Sequence, residues 1–427
     1  MKGIKLIIAI VFSLWSSSTF ESCIAATRGN YHWRKLKAAS ATNFNVLDYG
    51  AKGDGHADDT KAFQGAWAAA CKTEGSTMVV PSGYVFLVKI ISFSGPNCVP
   101  NIVFQLDGKI IAPTSPSAWG SGTLQWLEFT KLSKIAIKGK GVIDGQGSVW
   151  WSGNGKLPGT KPTALRFYGS NGVTVTGITI QNSQQTHLKF DSCTNVQVFD
   201  IKTSSPGDSP NTDGIHLQNS QEVVIYSSTL ACGDDCISIQ TGCSNVLVHN
   251  INCGPGHGIG IGSLGRENTK ACVRNVTVRD ITIQNTLTGV RIKTWQGGSG
   301  SVQNVLFSNI QVTDVKTPIM IDQYYCDKSK CRNQTSAVAV SGIHYVNVKG
   351  TYTWEPVYFA CSDSLPCSGI TMDTIELKAS QESKNSNVPF CWAAYGEIKT
   401  KTVPPVDNCL ERGNPRSTGI ISKIDSC

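Results

Sequence analysis

After Trp15 the chain has no stretch approaching the roughly 20 consecutive apolar residues that a membrane-spanning helix needs. The earlier run from Leu6 to Trp15 is itself too short to span, so the mature protein is expected to be soluble and off the membrane. Also missing are a Lys/Arg cluster and a basic stripe interleaved with aromatics. Their absence excludes the usual electrostatic footprint of a nucleic-acid binder. Charge is sparse, at 16% of residues, with a mild formal excess of +8. That balance suits an acidic polymer as partner, though a secreted protein that is simply basic has it too.

What is present starts with a processing segment. Lys2 and Lys5 precede the apolar run, and Ala25 and Ala26 supply small residues for cleavage, so residues 1–26 read as a signal peptide. Its removal takes Lys2, Lys5 and Glu21, one net positive charge, and leaves +7. Sixteen cysteines fit an oxidising compartment. Loss of Cys23 leaves fifteen, so at least one thiol is unpaired or bonded to another chain. Sequons at Asn275 and Asn333 fit the same route. Residues 27–43 are polar and basic and read as a flexible arm. Residues 44–427 are expected to form one domain, since a solenoid grows along one axis and stays a single unit at this length.

The chain repeats itself from about Leu132. Asn171-Gly172-Val173, Asn195-Val196, Glu222-Val223, Asn245-Val246, Asn275-Val276 and Asn304-Val305 each open a short β-branched run, with valine spacings of 23, 27, 23, 30 and 29 residues. Short strands at a variable period of this length predict an all-β, right-handed parallel β-helix. Antiparallel propeller blades, the competing fold, would show hairpin signals inside each repeat and a longer, more even period. Asn before the valine suits a sharp turn. A short helix from Asp58 and Asp59 to Cys71, with Ala62, Phe63, Ala66 and Trp67 on one face, is expected to cap the N-terminal end. From Ser380 the rhythm fades, and Cys391, Cys409 and Cys427 are expected to fasten the other end.

Three aspartates carry the chemistry. Asp213, in Asn211-Thr212-Asp213-Gly214, lies 22 residues before Asp235, which pairs with Asp234 in Gly233-Asp234-Asp235-Cys236, and His257 follows after another 22. Each is followed by inward apolar residues at +2 and +4: Ile215 and Leu217, Ile237 and Ile239, Ile259 and Ile261. If 22 residues make one coil, the three stack on successive coils about 4.8 Å apart. Alternation turns Gly258, Gly260 and Gly262 outward, a bare face that either a sugar ring or a neighbouring backbone would fill. It also turns Arg291 and Lys293 outward one coil further on. Fixed cations beside carboxylates suit recognition of a uronate. A calcium site is the competing reading of the acids, but His257, Arg291 and Lys293 disfavour a divalent cation and no fourth acidic ligand is evident. Closely set carboxylates cannot all ionise cheaply, so one is expected to be raised and to act as a general acid, with an acidic optimum. Asp144, in a similar Asp-Gly pair, reads as a turn residue.

The ordered set Asn211-Thr212-Asp213-Gly214, Gly233-Asp234-Asp235, Gly256-His257-Gly258 and Arg291-Ile292-Lys293 resembles the plant polygalacturonases of glycoside hydrolase family 28, over about Phe44 to Ile375. The resemblance implies a pectin-lyase-like solenoid that hydrolyses α-1,4-linked galacturonate in pectin, with inversion and without metal or other cofactor, as a secreted, cell-wall enzyme; a solenoid capped at both ends is expected to be a monomer. It implies that Asp234 protonates the leaving oxygen, that Asp213 and Asp235 activate water, and that His257 supports the protonation. Asn211, Arg291, Lys293 and Tyr325 would bind substrate. It further implies a disulfide between Cys236 and Cys253. Endo or exo action is not written in these motifs.

Overall fold

The residue just before each marker valine has left-handed backbone: Gly172 (φ 73°), Asn195 (55°), Glu222 (54°), Asn245 (56°), Asn275 (55°) and Asn304 (55°). L-residues other than Gly, Asn and Asp visit that region at a cost, so each of these positions is a built corner. Parallel pairing then stacks Val173, Val196, Val223, Val246, Val276 and Val305 strand on strand in one column. Two more coils extend the column with Ile343 and Ile370. Their corners are Gly342 and Gly369, both at φ 63°. The sequence pattern passed over them because Gly replaces Asn and Ile replaces Val.

This is a computed structural model, and it describes residues 42–413 and 415 apart from 121, 153–159, 328–329 and 381–387. The expected signal peptide, residues 27–41 of the expected arm, and Cys427 lie outside the described residues. The chain forms a parallel β-helix. One sheet of eleven parallel strands runs from Ile91–Ser94 to Phe390–Trp392, and twenty further strands form a second continuous sheet. Among the described residues, no helix is long and apolar enough to cross a membrane.

The core is a set of columns rather than a cluster. Phe93, Phe129, Phe167 and Phe190 stack in sequence with centroids 4.6, 5.3 and 5.2 Å apart. Leu217, Ile239, Ile261 and Ile292 continue the column toward the C-terminus. Outside, the corner asparagines form a ladder: Asn304 donates to Asn275 at 2.8 Å, Asn275 to Asn245 at 2.9 Å, and Asn245 to Glu222 at 2.7 Å. The Asn275 sequon therefore has its amide nitrogen engaged between coils, whereas Asn333 is exposed in a loop.

Helix Thr60–Ala70 covers the N-terminal end, with Ala62, Phe63, Ala66 and Trp67 buried. Trp67 lies edge-on to Phe93 and Phe129 at 5.3 and 5.7 Å. Asp58 caps the helix by accepting from the Thr60 backbone at 3.1 Å, while Asp59 accepts from the Lys52 and Gly53 N–H groups instead. At the other end the coils run further than the sequence rhythm suggested. Phe390–Trp392 and Ala394–Ile398 still pair in parallel with the preceding strands, and a Cys391–Cys409 disulfide fastens them.

Candidate active site

The 22-residue beat places the acids at one edge of the eleven-stranded sheet. Ile215, Ile237, Ile259 and Val290 are in register, as are Leu217, Ile239, Ile261 and Ile292. Asp213, Asp235 and His257 each precede one of these strands by two residues, so they arrive together. Asp234 takes three hydrogen bonds: His257 Nδ1 and the Asp235 N–H meet Oδ1, each at 2.9 Å, and Asn211 donates to Oδ2 at 3.2 Å. Asp213 Oδ2 meets His216 Nδ1 at 2.9 Å. His216, three residues on in the strand that follows, escaped the sequence reading; no alternation rule marks it, since residues three apart fall on opposite faces of a strand.

Arg291 and Lys293, expected to turn outward toward a uronate carboxylate, are each only 7% exposed and grip Asp235, Arg291 at 2.6 Å on Oδ1 and Lys293 at 3.1 Å on Oδ2. Gly260 makes this possible. It is the strand partner of Arg291, and a Cβ there would stand 2.8 Å from Asp235 Oδ2. The guanidinium crosses the bare glycine to reach the acid on the strand before. Gly258 and Gly262 are different, since a Cβ on either would meet the next coil's backbone at 2.0–2.1 Å. For those two, neighbouring backbone and not ligand explains the glycine.

Tyr325 lies beside the cluster, its ring 5.4 Å from Lys293 Nζ and edge-on to Trp295. Tyr324 points elsewhere, donating to Asp363. Cys236 and Cys253 are bonded beneath the aspartate pair. Among the described residues Cys193, Cys232 and Cys243 are free and buried. Asp144 is tied down by Lys109, Gln181 and the Gln146 N–H, a structural role at a strand end.

The environment pushes the acids apart. Burial raises the Asp213 carboxyl; His216 opposes this, and the charges of Asp234 and Asp235 add to it. Burial acts upward on Asp234 too, but the His257 hydrogen bond and charge, with Lys293 and Arg291 beyond, outweigh it and hold the group at about 2. One acid is thus raised, as clustered carboxylates require, but in the free protein it is Asp213.

Ligand atoms of Asp234, Asp235 and His257 lie within 4.8 Å of one another. As a cation site the set is poor. Both Asp235 oxygens already face Arg291 and Lys293, and those charges repel a divalent ion.

His187 is a further support that sequence reasoning missed. Fully buried, it has Nδ1 2.8 Å from the Asp213 carbonyl and Nε2 2.8 Å from Ser205 Oγ. A carbonyl only accepts, so Nδ1 carries the hydrogen and Nε2 accepts from Ser205. Burial pushes the ring down from 6.5 to about 4, the Asp213 and Ser204 backbone bonds only partly opposing it. The unfolded chain takes the proton below about 6.5 and the folded one only below about 4, so stability is complete above pH 6.5 and falls between the two. The loss is roughly 3 kcal/mol. Urea midpoints of the wild type and His187→Gln from pH 4 to 7 should show a shallower slope in the variant; parallel slopes would remove His187 from this role.

A family model described as glycosyl hydrolases family 28 matches residues 71–395. The chain belongs to that family and is a glycoside hydrolase. It is 41% identical over 399 residues to a probable polygalacturonase of Arabidopsis thaliana, covering 91% of this chain and 89% of that one. To polygalacturonase-2 of Solanum lycopersicum it is 44% identical over 341 residues, covering 78% and 74%. Among solved structures, the polygalacturonase from Erwinia carotovora matches with a TM-score of 0.66 at 23% identity, over 81% of this chain and 94% of that one. The endo-xylogalacturonan hydrolase from Aspergillus tubingensis matches with 0.71 at 23%, over 82% and 96%. At such identity these structures speak to the fold, which is the same.

Proposed function

We propose that the protein is a polygalacturonase that hydrolyses α-1,4-galacturonosidic bonds in de-esterified pectin, with inversion and without metal. The observation that carries the reading is the Asp234–His257 pair set beside an Asp235 that Arg291 and Lys293 clamp. The relatives called polygalacturonases support the substrate.

In this reading Asp234 donates a proton to the leaving glycosidic oxygen as the bond from that oxygen to the anomeric carbon breaks. A water attacks the same carbon from the opposite face and gives its proton to Asp235 or Asp213. Asp234 must be protonated to begin. A uronate carboxylate bound by Arg291 and Lys293 offsets part of the positive charge that holds Asp234 low, so substrate binding itself raises Asp234 and His257 hands it a proton through the 2.9 Å contact. Asn211 and Tyr325 border the same sugar.

The working location proposed is outside the cell, in the wall, where the five disulfides described here persist. Residues 44–427 acting as one catalytic domain and a monomeric state belong to the same proposal.

The experiment is a product assay on de-esterified polygalacturonate at mildly acidic pH with a chelator present. New reducing ends without ultraviolet absorbance are expected, and product lengths separate endo from exo cutting. Unsaturated products would make it a lyase, and activity abolished by the chelator would overturn metal independence. No new ends would move the substrate to another pectin backbone.

A further inference from the structure

The outward face of the eleven-stranded sheet carries one register row through the site: Arg166, Lys189, His216, Ser238, Gly260 and Arg291. The basic groups along it are engaged, with one exception. Arg166 binds Glu128 at 2.8 Å and Asp191 at 2.6 Å. His216 holds Asp213, and Arg291, with Lys293 beside it, holds Asp235. Lys189 is half-buried between Arg166 and His216, and it has neither a hydrogen bond nor an ion pair among the described residues.

A partly buried ammonium without a partner is unfavourable unless something supplies the countercharge. Burial lowers the Lys189 pKa and Arg166 pushes the same way, with Asp191 and Asp213 pulling back. Neither acid is placed to bond it. The missing anion therefore comes from outside the chain. Lys189 is one strand, about 4.8 Å, from His216, the group that holds Asp213. Arg291 and Lys293 reach the acids from the other side.

We propose that Lys189 is a specificity-determining residue that binds the carboxylate of a second galacturonate, on the N-terminal side of the cut. This rests on the polygalacturonase reading above. A polymer with an acid on every sugar, lying along the row, is then held by cations on both sides of the acids. A methyl ester or neutral sugar at this place leaves the ammonium unpaired, so the site demands a free acid there.

The test uses the full-length enzyme on short de-esterified oligogalacturonates. Lys189→Met is expected to raise KM about tenfold at low ionic strength, the scale of one charge-assisted hydrogen bond, with a much smaller change in kcat. Lys189→Arg should recover most of the loss, and added salt should narrow the gap. Lys189→Gln serves if the Met variant folds poorly. A KM within twofold of wild type, or an equal rise on methyl-esterified oligomers, overturns the assignment. If the wild type itself does not cut de-esterified substrate, the polygalacturonase reading fails and takes Lys189 with it; if it cuts and the variants match it, only the Lys189 inference fails.

Discussion

Asp234→Asn is expected to lower kcat on de-esterified polygalacturonate by about 10³-fold with little change in KM. Asparagine keeps the size of the side chain and an oxygen for His257, but it has no proton to give. The variant should also be less stable at neutral pH. With Asp234 held at about 2 in the folded protein against an ordinary 3.8, its contribution is present above pH 3.8 and lost as pH falls toward 2. That difference is about 2 kcal/mol. Steady-state kinetics paired with a denaturation curve separates the two effects. Turnover within tenfold of wild type in a folded variant would move the acid role to another group, with Asp213 first in line because burial already raises it.

The second large effect concerns the clamp on Asp235. Arg291→Met leaves a carboxylate that is 2% exposed with Lys293 as its remaining cationic partner, and breaking a buried pair from one side costs up to about 3–5 kcal/mol. Asp235→Asn strands two cations and should cost a comparable amount. Combining Arg291→Met with Asp235→Asn removes the charge from both partners, so the double variant should be more stable than the sum of its singles predicts. Chemical denaturation of the four proteins measures this coupling, and simple additivity would mean that the contact contributes nothing specific. Turnover should be nearly lost in all three variants. The same geometry sets the outcome for Lys293→Ala. Because Lys293 holds Asp235 as well as facing the substrate, kcat should drop on esterified and de-esterified pectin alike, and preference for the free acid should show in KM.

Much of this was legible in the sequence because a solenoid turns sequence distance into spatial position. The 22-residue interval from Asp213 to Asp235 to His257 is a register statement, and the inward isoleucines confirm which residues face out. What the interval does not carry is reach. Arg291 and Lys293 are legible as outward cations beside the acids, suited to a uronate, but their grip on Asp235 is not, because a one-dimensional reading does not show a long side chain crossing Gly260 to the strand beyond. His187 and His216 were missed for a related reason. Each supports Asp213 by a contact that no repeating pattern marks, His187 from the neighbouring coil and His216 from the strand that follows the acid. The coils after Ser380 show the usual weakness of boundaries, where a degenerate repeat decides the outcome.

The row of left-handed corners has a consequence for how this molecule can vary. Between Val305 and Ile343 the corners stand 38 residues apart, against 27 between Ile343 and Ile370, yet both pairs are in register. The longer coil carries Tyr325 and the loop closed by Cys326 and Cys331. Like pages sewn into one spine, the coils are fixed where they begin and free in how far they travel before returning. A descendant of this chain can lengthen or trim the wall beside Tyr325, and so change how a polymer is threaded, without moving a single residue of the floor that cuts it.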